Sequence, residues 1–187
     1  MINMNWKIIS AIFIAATIIL AGSFIALYYV DSSAIHKEEK QDASNEVEEL
    51  AISHWNQIAI ENQSIIMKEY DNNATLHWIG GPLNGTYSGY NAINTTWGKF
   101  FTAWKAVWFY ASTNMSNNPV VSMHGKTANV TANFLQFVLE NNTNVYHYIN
   151  TTYSLEYYNV GSVNNINYEI IGETFQITGT GTLASLK

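Results

Sequence analysis

The chain is 187 residues long, with 14 acidic against 8 basic side chains and a formal net charge of −6. Every basic residue is a lysine, so the bidentate clamps that arginine offers to phosphate are absent, and an acidic chain repels polyanions; nucleic acid is excluded as a partner. The absence of cysteine excludes disulfides and thiolate metal sites, so stability must come from packing, for which 6 Trp, 12 Tyr and 8 Phe supply the material.

Ile8 to Val30 contains no charged residue and is long enough, as a helix, to cross the roughly 30 Å hydrocarbon core of a bilayer. A cleaved signal peptide is the rival reading, but its apolar region usually runs only about 7–15 residues. The bulky run Leu27-Tyr28-Tyr29-Val30 also offers no small-residue cleavage site. The expectation is an uncleaved signal anchor at 8–30 in contact with membrane lipid. Residues 1–7 are then a short cytoplasmic N-terminus, 31–45 a polar stalk, and 46–187 a domain on the outer face. Lys7 before the span and Asp31 after it favour that orientation, although Lys37 and Lys40 blunt the contrast. Eight Asn-x-Ser/Thr sequons begin at Asn62, Asn73, Asn84, Asn94, Asn114, Asn129, Asn141 and Asn150, all beyond the apolar span, as glycan acceptors on an outer surface would. An Asn- and Thr-rich chain also generates some sequons by chance.

Asn45 and Glu48 form a capping pair that opens a helix, along which Val47, Leu50, Ala51, Trp55, Ile58 and Ala59 repeat at helical spacing. A second short helix runs through Ile65, Ile66 and Tyr70. Asp71-Asn72-Asn73 is turn chemistry, and Thr75–Trp78 a short strand. Gly80, Gly81, Pro82, Gly85 and Gly89 make 79–89 a loop. The clearest helix follows, Tyr90 to Val107, with Ile93, Trp97, Phe100, Phe101, Trp104, Val107 and Trp108 as its apolar stripe. The remainder reads as strands: a short one at Pro119–His124, then three long ones at Thr127–Leu139, Asn144–Tyr158 and Ile166–Thr178, the last with a bulge at Gly172. Short turns between them imply an antiparallel, strongly curved sheet. Alternation sends Val130, Ala132, Phe134, Gln136 and Val138 inward on one strand. On the next it sends Val145, His147, Ile149, Thr151, Tyr153, Leu155 and Tyr157 inward.

Two stretches carry a family likeness. Tyr70-Asp71-Asn72-Asn73-Ala74-Thr75-Leu76-His77-Trp78, followed by Gly85-Thr86-Tyr87-Ser88-Gly89-Tyr90-Asn91-Ala92-Ile93, is one; Gly125-Lys126-Thr127-Ala128-Asn129-Val130 is the other. Together they resemble the nuclear transport factor 2-like superfamily, which includes SnoaL-like polyketide cyclases and ketosteroid isomerases. The resemblance spans residues 46–178. It implies an α+β fold, a cone-shaped curved antiparallel sheet packed on N-terminal helices, with a pocket between them and often a homodimer joined through the sheets. Where isomerase-like members place a general-base aspartate, this chain has Trp78, which removes the group such chemistry tunes. The preceding position is His77, a histidine in many SnoaL-like sequences.

His77 and His147 remain the candidate catalytic residues, and His54 could converge with them on one pocket. The alternative is that all three are hydrogen-bonded structural residues. No short ligand spacing points to a metal, and no cofactor is implied. Glu169 or Glu173 could point inward depending on the bulge, but no acid–base pair can be assembled from sequence. An aromatic cavity could be lined by His54, Trp78, Tyr87, Trp97, Phe101, Trp104, Phe134, Tyr153 and Tyr157; equally, those rings could be the core. Three functions stay open: a membrane-anchored domain binding a small apolar ligand or a partner, a SnoaL-like enzyme using a pocket histidine, and a glycosylated extracellular structural subunit, pilin-like or of the envelope.

Overall fold

A computed structural model describes residues 37, 40–111, 119–143, 145–162 and 167–183. The chain divides into two compact units, Met1–Ala43 and Ser44–Lys187. The apolar segment 8–30 and the sequon at Asn114 lie outside the described residues. Among those described, no helix is long and apolar enough to cross a membrane.

Helix α1 occupies residues 40–59. It starts upstream of the capping pair expected at Asn45 and Glu48, so both of these are interior helical positions and part of the expected stalk is helix. Val47, Ala51, His54, Trp55 and Ile58 are buried at steps of three and four, which presents one stripe to the sheet. Helix α2 is only Gln63–Ile66, and Tyr70 belongs to the strand that follows rather than to the helix. Strand β1 is Tyr70–Ile79, longer than the stretch expected. The local turn chemistry survives inside it, because the Asn73 amide donates to Asp71 Oδ1 at 2.7 Å where the pairing register shifts. The expected 79–89 loop contains a further strand, β2 at Gly85–Ser88.

Helix α3, Tyr90–Ala103, ends earlier than its apolar spacing predicts. Trp104 adopts extended geometry, and Trp104–Ala111 is a strand, β3, instead of a last helical turn. The reason is tertiary. The turn after residue 140 caps the helix: the Asn141 side-chain amide donates to the Thr102 carbonyl at 2.7 Å, and its backbone amide donates to that of Ala103 at 3.0 Å. These bonds satisfy carbonyls that would otherwise end without partners. The aromatic run beyond is then free to pair as a strand.

Strand β4 is Val120–His124, β5 Thr127–Glu140, β6 Tyr146–Asn159 and β7 Tyr168–Thr182. The sheet order is β2-β1-β7-β6-β5-β3, with β4 also on β5. It is mixed rather than antiparallel throughout, since β1 pairs with β7 in parallel. The expected faces of β5 and β6 are found: Val130, Ala132, Gln136 and Val138 are buried on one, Ile149, Thr151, Tyr153, Leu155 and Tyr157 on the other. The ladders to β1 and to β6 both shift between Ile170 and Gly172. The effect is to put Glu173 in phase with Phe175 on the inner face, where both are buried. The core is a cluster of rings between the helices and the inner sheet face, with Trp97, Tyr153, Phe100 and Phe175 fully enclosed.

Candidate functional site

An open cavity of about 410 Å³ lies at the α3 end of this core. Trp78 from β1, Phe100 from α3, Trp104 from β3, Ile149 from β6, and Phe175 and Ile177 from β7 form its walls. Trp78 packs its ring 4.4 Å from Phe175 and 5.3 Å from Phe100, centroid to centroid, making a rigid aromatic floor. The Gly81–Leu83 loop borders one side. Gly80 and Gly81 there have left-handed φ values of 92° and 66°, and a side chain on either would press within 3.2 Å of Ile177. Glycine is what allows the loop to lie against the wall. Tyr87 is half-buried and supports the same loop, its hydroxyl donating to the Leu83 carbonyl at 2.8 Å.

The polar part of the cavity is Lys99, Glu140 and His147, with Thr180 nearby. His147 Nε2 stands 3.4 Å from Glu140 Oε2. The two face each other without a formed hydrogen bond at that buried nitrogen. The Thr143 hydroxyl donates to Glu140 Oε2 at 2.5 Å. That bond first, and His147 after it, hold the Glu140 carboxyl below the usual carboxylate range despite a small opposing effect of desolvation. Trp104 meets the His147 ring edge-on, with centroids 5.3 Å apart, which fixes the imidazole's orientation.

A second histidine–carboxylate cluster lies deeper. His54, fully buried on α1, bonds Glu69 Oε2 through Nδ1 at 2.5 Å, and its Nε2 is 3.6 Å from Glu173 Oε1. The Tyr153 hydroxyl donates to that same Glu173 oxygen. Burial by itself would lower the His54 pKa, but the bonds and charges of Glu173 and Glu69 together outweigh it and push the pKa up to about 9. Burial raises Glu173, with partial relief from His54. Tyr70 accepts a hydrogen bond from Trp97 Nε1 at 3.0 Å beside this group, and burial raises its pKa too. Neither His54 nor Glu173 lines the open cavity.

The residues singled out from sequence therefore separate. Trp78, Trp104 and His147 meet at the cavity. His77 sits exposed on the outer sheet face, hydrogen-bonded to Thr86 at 3.1 Å, because Leu76 and Trp78 take the inward phase of β1. His54, Trp97, Tyr153 and Tyr157 are buried in the core, Phe101 stacks on Trp97, and Phe134 packs half-buried against Trp55. Among the sequons, Asn73, Asn129 and Asn150 are exposed on strands. The side chains of Asn62, Asn84, Asn94 and Asn141 make hydrogen bonds within the fold. Among the described residues no group of three or more His, Asp or Glu could hold a metal ion. The partners missed from sequence are Glu69, Lys99 and the pairing role of Glu140; for Glu173, the two-residue phase it shares with Phe175 and Ile177 is the signal that could have found it.

No protein-family model matches this chain, and no curated protein does. Solved structures do. Hexachlorocyclohexane dehydrochlorinase LinA-type3 from Novosphingobium barchaimii is 14% identical, with 78% of this chain and 96% of that one covered at a TM-score of 0.59. A ketosteroid isomerase-like protein from Erwinia carotovora is 12% identical, covering 73% and 95% at 0.57. A nuclear transport factor 2-like protein of unknown function from Pseudomonas putida is 14% identical, covering 79% and 97% at 0.54. At such identities the likeness is one of fold: a strongly curled sheet closed by a few helices, the nuclear transport factor 2-like cone.

Proposed function

We propose that this domain binds a small ligand whose apolar body lies between Trp78, Phe100, Trp104 and Phe175. The observation that carries the reading is the open, aromatic-walled cavity of about 410 Å³, a size within the roughly 300–1,000 Å³ usual for ligand sites. Rings that fill the cone elsewhere leave this end unfilled. The test is fluorescence titration of the full chain with the neutral dye N-phenyl-1-naphthylamine. Saturable binding is expected, and Ala103→Trp, which adds a ring at the exposed mouth, should abolish it without unfolding the domain. Binding that survives this substitution would defeat the proposal.

A second reading, an enzyme using a pocket histidine, is favoured by one observation: His147 Nε2 faces Glu140 at 3.4 Å inside the cavity and lacks a hydrogen-bond partner. Such a nitrogen can take a proton from a bound molecule while Glu140 stabilises the imidazolium. If any turnover of a pocket-bound compound is found, His147→Gln should remove it while leaving dye binding intact.

The setting proposed for the domain is the outer face of a membrane, anchored through 8–30. It is supported by that uncharged run and by sequons found only beyond it. Full-length chain that resists carbonate extraction, with its domain protease-accessible from outside, is the expected result. A homodimer through the outer sheet face, or a role as a glycosylated structural subunit, would instead appear as a stable assembly in cross-linking.

A further inference from the structure

We infer that the ligand of this cavity carries an anionic carboxylate head, held at the mouth by Lys99 and His147, on its apolar body. The inference rests on the pocket-binding reading above and names the chemical class it would take.

The cavity joins an apolar interior to a polar mouth. Its walls are rings and aliphatic side chains that ask only for an apolar surface. Its mouth offers two polar groups that make no hydrogen bond within the described residues, although His147 Nε2 faces Glu140 at 3.4 Å. Lys99 is exposed at the cavity edge and makes no ion pair among the described residues. His147 Nε2 is buried yet makes no hydrogen bond, an arrangement that carries a desolvation cost until something supplies a partner. A carboxylate accepts from both an ammonium and an imidazole N–H, so one head group meets both needs.

Glu140 is the opposing charge, and its situation decides the sign. Its Oε2 already takes the Thr143 hydroxyl and faces the imidazole. A second carboxylate would therefore meet a Glu140 that is engaged, together with a Lys99 that is not. A neutral amide or hydroxyl head could accept a hydrogen bond but would leave the ammonium's charge uncompensated, and a cationic head would face Lys99 directly. The preferred occupant is a small aromatic or alicyclic acid, its ring on Trp78 and its carboxylate toward solvent.

The test compares two probes of nearly the same shape, 2-naphthoate and its neutral counterpart 2-naphthamide, by calorimetric titration of the full-length chain. Naphthoate is expected to bind at least tenfold tighter, with the advantage shrinking as salt rises. Lys99→Gln should bring the two probes close to parity, Lys99→Arg should keep most of the preference, and His147→Gln should remove part of it. Lys99 is exposed, so these variants should fold, and unchanged thermal melting checks that. Equal binding of the two probes, tighter binding of naphthamide, or a preference untouched by Lys99→Gln overturns the inference while leaving the pocket reading standing. Failure of both probes and of the neutral dye to bind would instead bring down the pocket reading, and the inference with it.

Discussion

His54 and His147 are both histidines beside glutamates, yet their surroundings give them opposite roles. His54 is sealed in the core between Glu69 and Glu173, with Tyr153 completing the network. Desolvation there makes each charge depend on its neighbours, so the cluster is coupled to folding. His147 is a quarter exposed beside a solvent-washed Glu140, at the edge of an open cavity. The energy of that pair is small. Accessibility, rather than residue type, separates a structural ion cluster from a candidate site.

The comparison breaks most readily at His54. His54→Ala should destabilise the domain by about 3–5 kcal/mol, because it strands a buried carboxylate, whereas His147→Ala should cost about 0.5 kcal/mol or less. Urea denaturation of the two variants measures the contrast; equal losses would erase the distinction between the clusters. Trp78→Ala is next, at about 3–4 kcal/mol. It should also enlarge the cavity, so a bulkier dye should bind the variant if it remains folded.

The pH dependence sharpens the same contrast. His54 has a folded pKa of about 9 against 6.5 in the open chain, so its contribution is complete below 6.5 and is lost as pH rises through 9. Glu173, raised by burial from 4.5, acts in the same sense from lower pH. Thermal melting should therefore fall between pH 6.5 and 9, and His54→Gln should flatten that slope. Glu140 has the opposite sign: its lowered pKa contributes in full above 4.5, and that contribution is lost as pH falls through the folded value. Asn141→Ala should cost about 1 kcal/mol from the lost bond to the Thr102 carbonyl, seen as earlier fraying of α3 in hydrogen exchange.

Local and periodic features were legible in the residues alone. Two-residue alternation fixed which faces of β5 and β6 turn inward, because one face must be apolar and a one-residue slip would expose all of it. The Gly-Lys turn at 125–126 and the Asn-rich turn after Glu140 announced the hairpins, and the spaced motifs pointed to the cone fold that the solved structures share. His77 was also legible in principle: once Leu76 and Trp78 face inward, the residue between them must face out.

The remaining features depend on contacts between distant segments. The stripe through Trp104 and Trp108 suits a helix as well as a strand, and it was pairing with β5 and capping by Asn141 that ended α3 at Ala103. The parallel pairing of β1 with β7 joins ends of the domain about 100 residues apart, for example Trp78 with Phe175, and no local signal encodes it. Glu69 and Glu173 reach His54 from positions 15 residues and more than 100 residues away, because a short turn and a bulge aim them there. The meeting of Lys99, Glu140 and His147 around one cavity is likewise a product of packing. Charge and burial are properties of the neighbours a fold supplies, and a linear pattern names those neighbours only when they lie within a few residues.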